Sequence, residues 1–236
     1  MLNYERIILK LSGESLADNT KKKIISFDFL DKICKEIGKC VNLGAQIGIV
    51  IGGGNIWRGR DTVNDINRVI SDQIGVLATV QNALILGEYL QKNNIKYIIS
   101  SAIQISNIAG KKNIKKILKS LSKHKVVIFA AGTGNPFFST DTAAAIRAAE
   151  INADIILKAT NVNGVYAEDP KLNADSALYD KISFNEILKK NIKILDSSAI
   201  ILCREHNIPI CVFNIQELKN IRNILEGSSI GTYICN

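Results

Sequence analysis

The stretch Val126–Asp141, VVIFAAGTGNPFFSTD, runs from a continuous apolar segment through a glycine turn towards an alanine-rich segment. An apolar run without alternation is typical of a strand buried on both faces of a parallel sheet. The residues that follow, Asp141–Asn152, are rich in helix formers, and Ser139 or Thr140 is placed to cap their helix. Because the first N–H groups of a helix lack intrahelical partners, this strand–turn–helix unit predicts a binding site for an anion such as a phosphate.

Two other glycine turns also follow apolar strands. Ile47–Ile51 leads into Gly52–Gly54, where a ligand could approach the backbone because no Cβ is in the way. Near the beginning of the chain, Lys10 lies in a strand just before a Ser-Gly turn. A single glycine turn is more often structural than ligand-binding, but three at one sheet edge predict a common crevice. The P-loop motif is absent, and Phe137 stands where a Rossmann fingerprint needs its third glycine.

Another loop, Lys158–Pro170 (KATNVNGVYAEDP), directly follows the buried strand Ile155–Leu157. Its Asn-Gly and Asp-Pro pairs indicate turns. Tyr166 offers a flat apolar face for a base, and Asp169 offers an acceptor for a ribose hydroxyl. This loop is therefore the segment that we expect to hold a nucleotide.

Strand and helix patterns alternate along most of the chain, which predicts a mainly parallel sheet covered on both faces. We find no linker and no internal repeat, so the sequence predicts one domain over residues 1–236. The predicted strands are 5–11, 46–51, 96–100, 126–131, 154–159, 210–214 and 232–235. The predicted helices are 27–43, 72–93, 111–122, 140–152, a short one opened by a capping box at Ser183–Glu186, 197–206, and one that ends near 226 and is capped from Asn214–Glu217.

The composition is that of a globular protein with room for a full core, since 47% of the 236 residues are hydrophobic. The charged residues of the first strand argue against a signal peptide or a transit peptide at the start of the chain. The apolar runs are also shorter than the ~20 residues that a membrane-spanning helix needs. We therefore expect a cytoplasmic protein with no membrane contact. Five scattered cysteines and two isolated histidines favour free thiols over zinc, so catalysis would use lysine, arginine, aspartate and backbone groups.

The net charge of +8 raises the alternative of a nucleic-acid-binding protein, because Lys111–Lys125 contains seven lysines and no acid. In that segment, however, Ile114, Ile117, Leu118 and Leu121 repeat with helical spacing. The lysines then lie on the solvated face of an amphipathic helix, and no aromatic RNA-binding motif accompanies them. Nucleic acid is therefore the less favoured partner.

Five segments together resemble the bacterial uridylate kinases, which belong to the amino acid kinase superfamily. They are KLSGE at 10–14, IGGGN at 51–55 with WRG at 57–59, NRVISD at 67–72, GTGNPFFSTD at 132–141 and TNVNGVYAEDP at 160–170. The resemblance covers nearly the whole chain in order and spacing. It implies the reaction UMP + ATP to UDP + ADP and a three-layer α/β/α sandwich, with the acceptor nucleotide in about 1–150 and ATP in about 151–236.

The resemblance also implies roles for individual residues. Lys10 would contact the transferred phosphoryl group, Asp141 would orient that lysine, and Arg58 would complete the catalytic set by contacting phosphate. The implied ATP-binding residues are Lys10, Leu11, Ser12, Gly13, Gly54, Arg58, Thr160, Asn161, Tyr166 and Asp169. The implied UMP-binding residues are Gly53, Asp72, Thr133, Gly134, Asn135, Pro136, Phe137, Phe138, Ser139 and Thr140.

Further properties implied by the resemblance concern cofactors and regulation. Mg²⁺ would be held mainly by the nucleotide phosphates, with no metal-ligating residue in the chain, and the protein would be a homohexamer built from dimers and inhibited by UTP. Residues 17–24 lack the glycine-rich pattern of family members that GTP strongly activates, so we expect weak or absent activation. Two alternatives remain: a related kinase that phosphorylates a carboxylate or carbamate, such as acetylglutamate or aspartate kinase, and a nucleotide sensor or nucleic-acid regulator without activity.

Overall fold

A computed structural model of the chain describes residues 2–18, 22–59, 66–168 and 176–236. In these residues nine strands form one sheet in the order β4-β3-β5-β2-β1-β6-β8-β9-β7, and only the β8–β9 pair is antiparallel. The strands are β1 Arg6–Leu11, β2 Gln46–Ile51, β3 Tyr97–Ser101, β4 Gly110–Lys111, β5 Val126–Ala130, β6 Ile155–Thr160, β7 Lys181–Ser183, β8 Ile210–Asn214 and β9 Thr232–Cys235.

Helices cover both faces of this sheet. They are α1 Phe27–Asn42, α2 Arg68–Lys92, α3 Ile114–Leu121, α4 Thr140–Ile151, α5 Phe184–Lys189, α6 Ser197–Glu205 and α7 Asn220–Leu225, with a short 3₁₀ helix at Gly13–Leu16. Helices α1, α2 and α7 share one hydrophobic core with Ile7, Leu9 and Leu11 of β1, whereas α3 to α6 share the other core with Ile8. The predicted three-layer α/β/α sandwich is confirmed.

The alternation along β1 decides where its lysine lies. Because successive side chains of a strand point to opposite faces, Lys10 lies on the same face as Ile8, beneath α4. Helix α4 begins as the sequence predicts, since the Ser139 side chain accepts a hydrogen bond from the backbone N–H of Asp141. Strand β1 and helix α4 thus bring Lys10 and Asp141 to the same end of the sheet.

Three sequence predictions of element boundaries are wrong. Helix α2 begins at Arg68 rather than 72, because Asn67 caps it by accepting from the N–H of Val69. Helix α3 begins at Ile114 rather than 111, because Asn113 caps it while Gly110–Lys111 pairs with β3. Helix α7 begins only at Asn220 and has no side-chain cap from the predicted segment, since the Asn214 side chain accepts from Gln216 in a local turn.

Helix α2 carries apolar side chains on its solvent-exposed face as well as on the face that packs on the sheet. Among the described residues it is the one helix with the length and apolar composition of a membrane span, and 39% of its most apolar window is buried in the fold. Its inner face packs into the core through residues such as Ala83, Leu86 and Leu90. Its outer face leaves Ile70, Leu77 and Leu84 exposed at intervals of seven residues.

Candidate active site

A cleft opens at the edge of the sheet where four neighbouring parallel strands end. Strands β5, β2, β1 and β6 are consecutive in the sheet, so the loops that follow them meet at their carboxyl ends. The cavity between these loops, here named the central cleft, has a volume of about 740 Å³ and is lined by Gly53, Arg58, Asp72, Thr133 and Thr140 among others. The common crevice predicted from the glycine turns therefore exists.

Two lysines and one aspartate form a buried cluster beside this cleft. Lys10 of β1 lies opposite Lys158 of β6 in the strand register, so both side chains point to the α4 face. Lys10 Nζ is 2.7 Å from Asp141 Oδ1, and Lys158 Nζ donates to Asp141 Oδ2 at 2.5 Å. Lys10 and Lys158 are only 9% and 7% exposed. The cluster carries a net positive charge in a largely dehydrated place, which suits it to bind a phosphoryl group.

The pKa values of this cluster reflect burial and mutual charge. Burial raises the pKa of Asp141, but the charges and hydrogen bonds of Lys10 and Lys158 outweigh it and lower that pKa from 3.8 to about 2. Burial and the like charge of Lys10 lower the pKa of Lys158 from 10.5 to about 8, although Asp141 opposes this. Asp141 is therefore ionised throughout the physiological range, and Lys158 loses its proton more readily than an ordinary lysine.

The two N-terminal glycine turns pack directly against each other. A Cβ on Gly13 would lie 2.6 Å from the backbone nitrogen of Gly54 and 2.6 Å from Asn55 Oδ1, so only glycine fits there. The fully buried amide of Asn82 on α2 donates to the carbonyl of Gly52 and to Asn55 Oδ1, both at 2.7 Å. The loop that follows β2 is thereby held at a fixed distance from the loop that follows β1.

Charged and aromatic side chains form one side of the central cleft. The Arg58 guanidinium lies 3.0 Å from Glu14 and is about half exposed, so it remains accessible to a ligand. The indole N–H of Trp57 donates to the Ser71 hydroxyl at 3.0 Å, and the ring lines the cleft. Asp72 accepts from Arg68 at 2.9 Å and from the backbone N–H of Phe137 at 2.8 Å. A carboxylate accepts about four hydrogen bonds, so Asp72 retains capacity for a ligand.

Asp196 connects the central cleft to the cluster. Its carboxylate accepts a hydrogen bond from the hydroxyl of Ser139, the N-cap of α4. It also accepts one from the hydroxyl of Thr142, in the first turn of α4, at 3.2 Å. Although Asp196 stands at the N-cap of α6, it makes no side-chain cap for its own helix. It lines the central cleft and also a side pocket that contains Asp141 and residues 191–195, so the two cavities adjoin here.

A third cavity continues the same groove. It is lined by Val162, Tyr166 and Glu168 on one side and by residues 190–194 on the other, and it shares residues 191–194 with the side pocket. The lining includes the face of Tyr166 and several apolar side chains, which suits a flat heteroaromatic group. The three cavities thus form one groove that runs from the central cleft past Asp141 to Tyr166.

Comparison of the chain with known proteins identifies its family. Residues 5–214 match the model of the Amino acid kinase family. The chain belongs to this family. Among curated amino acid kinase relatives, the uridylate kinase of Buchnera aphidicola subsp. Baizongia pistaciae is 46% identical over 234 residues, which are 99% of this chain and 96% of that protein.

Solved structures within the amino acid kinase family have the same fold. The UMP kinase from Bacillus anthracis superposes with a TM-score of 0.94 at 37% identity, covering 98% of this chain and 96% of that one. The UMP kinase from Ureaplasma parvum gives a TM-score of 0.92 at 37% identity, and each chain is covered completely. The resemblance recognised from the five segments is therefore confirmed over the whole length of the chain.

Most of the predicted site residues meet in the groove. Asp141 lines the side pocket and Tyr166 the third cavity, whereas Thr160 holds the turn after β6 by donating to the carbonyls of Val162 and Phe213. The predicted residues that line the central cleft are Gly53, Gly54, Arg58, Asp72, Thr133, Asn135, Phe137, Phe138, Ser139 and Thr140.

Several predicted residues do not line the cavities with their side chains. The Leu11 side chain is buried in the core beneath α1 and α2, so only its backbone faces the edge. The Ser12 hydroxyl caps the 3₁₀ helix by accepting from Glu14. Gly134, Pro136 and Asn161 lie in the predicted loops but outside the lining of the central cleft. Asp169 lies outside the described residues, as do 19–21 in the segment used to predict the GTP response.

In the sequence, Lys158 stands at the start of the predicted nucleotide-holding loop, and no role was predicted for it. Its partner Asp141 lies in another element of the chain. Lys158 comes to lie beside Lys10 only because β6 pairs with β1. The available signal was a lysine in an otherwise apolar strand, the same feature that singled out Lys10. Asp196 and Thr79, which also line the groove, carried no sequence signal of their own.

The carboxylates of the groove bear on how a metal would be held. In the part of the chain that the structure describes, no three His, Cys, Asp or Glu side chains are grouped for a metal ion. Asp141 is engaged by two lysines, and Asp196 by two hydroxyls. Both carboxylates that line the side pocket are thus already engaged by other side chains of the chain.

Proposed function

We propose that this protein transfers the γ-phosphoryl group of ATP to UMP, giving UDP and ADP, as a step in pyrimidine nucleotide biosynthesis. The observation that carries the proposal is the buried Lys10–Asp141–Lys158 cluster, whose Asp141 lines the side pocket that adjoins the central cleft at Asp196. The full-length similarity to uridylate kinases and UMP kinases supports the choice of acceptor.

The two substrates are assigned to opposite ends of the groove. UMP occupies the central cleft, with its nucleoside near Asp72 and the 133–140 loop and its phosphate towards Arg58 and the glycine turn. ATP lies with its base near Tyr166 and its phosphates along the side pocket. The start of α4 points its free N–H groups at the place where the phosphates meet, and these groups favour anions.

The chemistry requires positioning and charge neutralisation. An oxygen of the UMP phosphate attacks the γ-phosphorus, and the bond from that phosphorus to the β-phosphate oxygen breaks in line with it. The attacking oxygen is already anionic at neutral pH, so no general base is needed and the scarcity of histidine is no obstacle. Lys10 and Lys158 neutralise the transferring group, Asp141 holds both ammonium groups in place, and Arg58 neutralises acceptor phosphate.

A magnesium cofactor belongs to the same proposal. When bound, Mg²⁺ would be held mainly through the nucleotide phosphates and would supply charge neutralisation between ATP and UMP. The chain contributes no ligand cluster among its described residues, so its part is to hold the phosphates through lysines, arginine and backbone N–H groups. The Asp196 carboxylate remains ordered by Ser139 and Thr142 at the edge of this phosphate region.

The test is a coupled assay of ADP release from ATP–Mg²⁺ with the purified protein. UMP, CMP, dTMP, AMP, glutamate and aspartate are compared as acceptors under the same conditions. ADP and UDP in equal amounts, with UMP preferred over every other acceptor, would support the proposal. Preference for glutamate or aspartate would replace it with a carboxylate kinase, and the absence of turnover with every acceptor would favour a nucleotide sensor.

Self-association is a further part of the proposal. The exposed stripe Ile70, Leu77 and Leu84 on α2 provides an apolar face that suits a second copy of the chain, as expected for a hexamer built from dimers. Light scattering after size exclusion should give a multiple of the 25.9 kDa monomer mass. Leu77→Lys should reduce that mass, whereas Leu43→Lys, which changes an exposed leucine at the end of α1, should not.

Location and feedback complete the proposal. The enzyme works in the cytoplasm, where its nucleotide substrates are found. UTP shares its base and ribose with UMP, so it competes for the central cleft and lowers the rate when the pathway's products accumulate. Inhibition by UTP that is relieved by excess UMP is the expected kinetic pattern.

A further inference from the structure

The turn that connects β5 to the 133–140 loop has an unfavourable backbone conformation. Ala131 has φ of +65° and Gly132 has φ of +55°, so both lie in the left-handed region. A glycine adopts this region freely, but an alanine with its Cβ does so at a cost in energy. Ala131 is also fully buried, so its backbone groups have no access to water. The surrounding structure must therefore hold this turn.

One partner comes from α2. The Thr79 hydroxyl accepts a hydrogen bond from the Ala131 N–H at 3.0 Å and donates its own proton to the Val76 carbonyl at 2.7 Å. Although Thr79 lines the central cleft, it is only 3% exposed, and its hydroxyl is engaged by both Ala131 and Val76. The hydrogen bond to Val76 within the helix orients the Thr79 hydroxyl so that its oxygen faces the Ala131 N–H. Thr79 thus satisfies the buried N–H of the left-handed alanine.

The other partner comes from α4, in the opposite helical layer. Arg147 donates through one terminal nitrogen to the Gly132 carbonyl at 3.2 Å and through the other to Glu150 at 2.7 Å. Its guanidinium carbon lies 5.8 Å from the centre of the Phe129 ring, and the residue is 4% exposed. Lys112 also forms an ion pair with Glu150. The Glu150 carboxylate and the Phe129 ring therefore fix the guanidinium in the position from which it donates to Gly132.

We propose that Thr79 and Arg147 are positioning residues for the acceptor nucleotide. They hold the Ala131–Gly132 turn from the two opposite layers, and the turn sets the direction in which the 133–140 loop enters the central cleft. Arg147 lies outside the lining of that cleft and acts through Gly132. This inference rests on the proposed function, because it assumes that the loop holds UMP. Loosening the turn should weaken the binding of UMP more than the binding of ATP. The proposed ATP site, in the side pocket and the third cavity, contains no residue of the 133–140 loop.

The Michaelis constants of three variants, a matched pair at Thr79 and one variant at Arg147, test the inference. Thr79→Val keeps the shape but removes the acceptor, whereas Thr79→Ser keeps the hydroxyl. Since an unpaired buried N–H weakens the state that contains it, Thr79→Val should raise the KM for UMP by about tenfold, with the KM for ATP and kcat within about threefold of wild type. Thr79→Ser should restore the KM for UMP. Arg147→Met should act like Thr79→Val, because Lys112 still compensates the charge of Glu150.

Hydrogen exchange of the free protein provides a readout that does not depend on the substrate. The amide of Ala131 should exchange faster in Thr79→Val than in wild type or Thr79→Ser, while β1 and β6 keep their protection. Unchanged exchange together with an unchanged KM for UMP in both Thr79→Val and Arg147→Met would overturn the inference. An equal rise in the KM for UMP and ATP would also overturn it. If wild type does not phosphorylate UMP, the proposed function fails, and the exchange data still decide whether the turn is held as described.

Discussion

Replacing Asp141 by asparagine should destabilise the protein by an amount that depends on pH. The pKa of Asp141 is lowered from 3.8 to about 2, a difference that corresponds to roughly 2 to 3 kcal/mol in favour of the folded, ionised state. The variant also leaves Lys10 and Lys158 buried without their shared anion. At pH 7 we therefore expect Asp141→Asn to lower the free energy of unfolding by roughly 2 to 3 kcal/mol.

The sign of the pH dependence follows from the lowered pKa. A carboxyl group with a lower pKa in the folded state contributes stability above its unfolded pKa and loses it as the pH falls through the folded one. The difference between wild type and Asp141→Asn should thus be complete above about pH 5 and shrink as the pH falls from 4 towards 2.

The same substitution should move the pH profile of catalysis. Lys158 has a pKa of about 8 in the free protein, so wild-type kcat/KM should fall above about pH 8 as this lysine loses its charge. Asp141 raises the pKa of Lys158, so without that carboxylate the alkaline limb should move to lower pH. Asp141 and Lys158 are joined by a hydrogen bond, so the alkaline limb belongs to this pair rather than to Lys158 alone.

Urea unfolding between pH 3 and pH 8 and pH–rate profiles measure these two effects. Asp28→Asn is the matched control, because Asp28 forms an exposed pair with Lys32 and should change stability by less than about 1 kcal/mol. An Asp141→Asn variant with wild-type stability and an unmoved alkaline limb would refute the assignment of Asp141 as the shared anion of the two lysines.

Three further predictions concern binding and specificity. Trp57 lies in the central cleft and donates to Ser71, so UMP should cause a saturable change in tryptophan emission that Arg58→Ala abolishes; unchanged emission at saturating nucleotide would move the site away from residues 52–58. UMP should be preferred over CMP by about 10⁴-fold in kcat/KM, since the wrong base leaves buried polar groups unpaired, and comparable values would contradict this. GTP titrated at subsaturating substrates should raise the rate little, and a rise of several-fold would show that residues 17–24 do not decide activation.

The elements of the fold were predictable because their signals are local. The apolar strands, the Ser139 cap of α4 and the capping box at Ser183 depend on neighbouring residues, and the structure contains each of them. The start of α2 was misplaced because the polar segment before Asp72 looks like a loop, although Asn67 already caps the helix there.

The parts of the site that could not be predicted depend on strand pairing. Lys158 became part of the site only through the neighbouring positions of β1 and β6 in the sheet, which no local pattern encodes. Likewise, Thr79 and Arg147 contact the Ala131–Gly132 turn from helices on opposite faces. The five family-like segments supplied most of the groove because each loop carries its own motif, whereas the residues that support those loops do not.

The most direct test of the proposed catalytic centre is the rate of the chemical step with and without the Lys10 charge. Rapid-quench experiments follow transfer of labelled γ-phosphate from ATP to bound UMP in wild type and Lys10→Met, with both dissociation constants measured separately. We predict that Lys10→Met slows transfer by roughly 10²-fold or more while both nucleotides bind nearly as in wild type, because a positioned charge at the transferring group is lost. A transfer rate close to that of wild type would contradict the placement of the reaction at the Lys10–Asp141–Lys158 cluster.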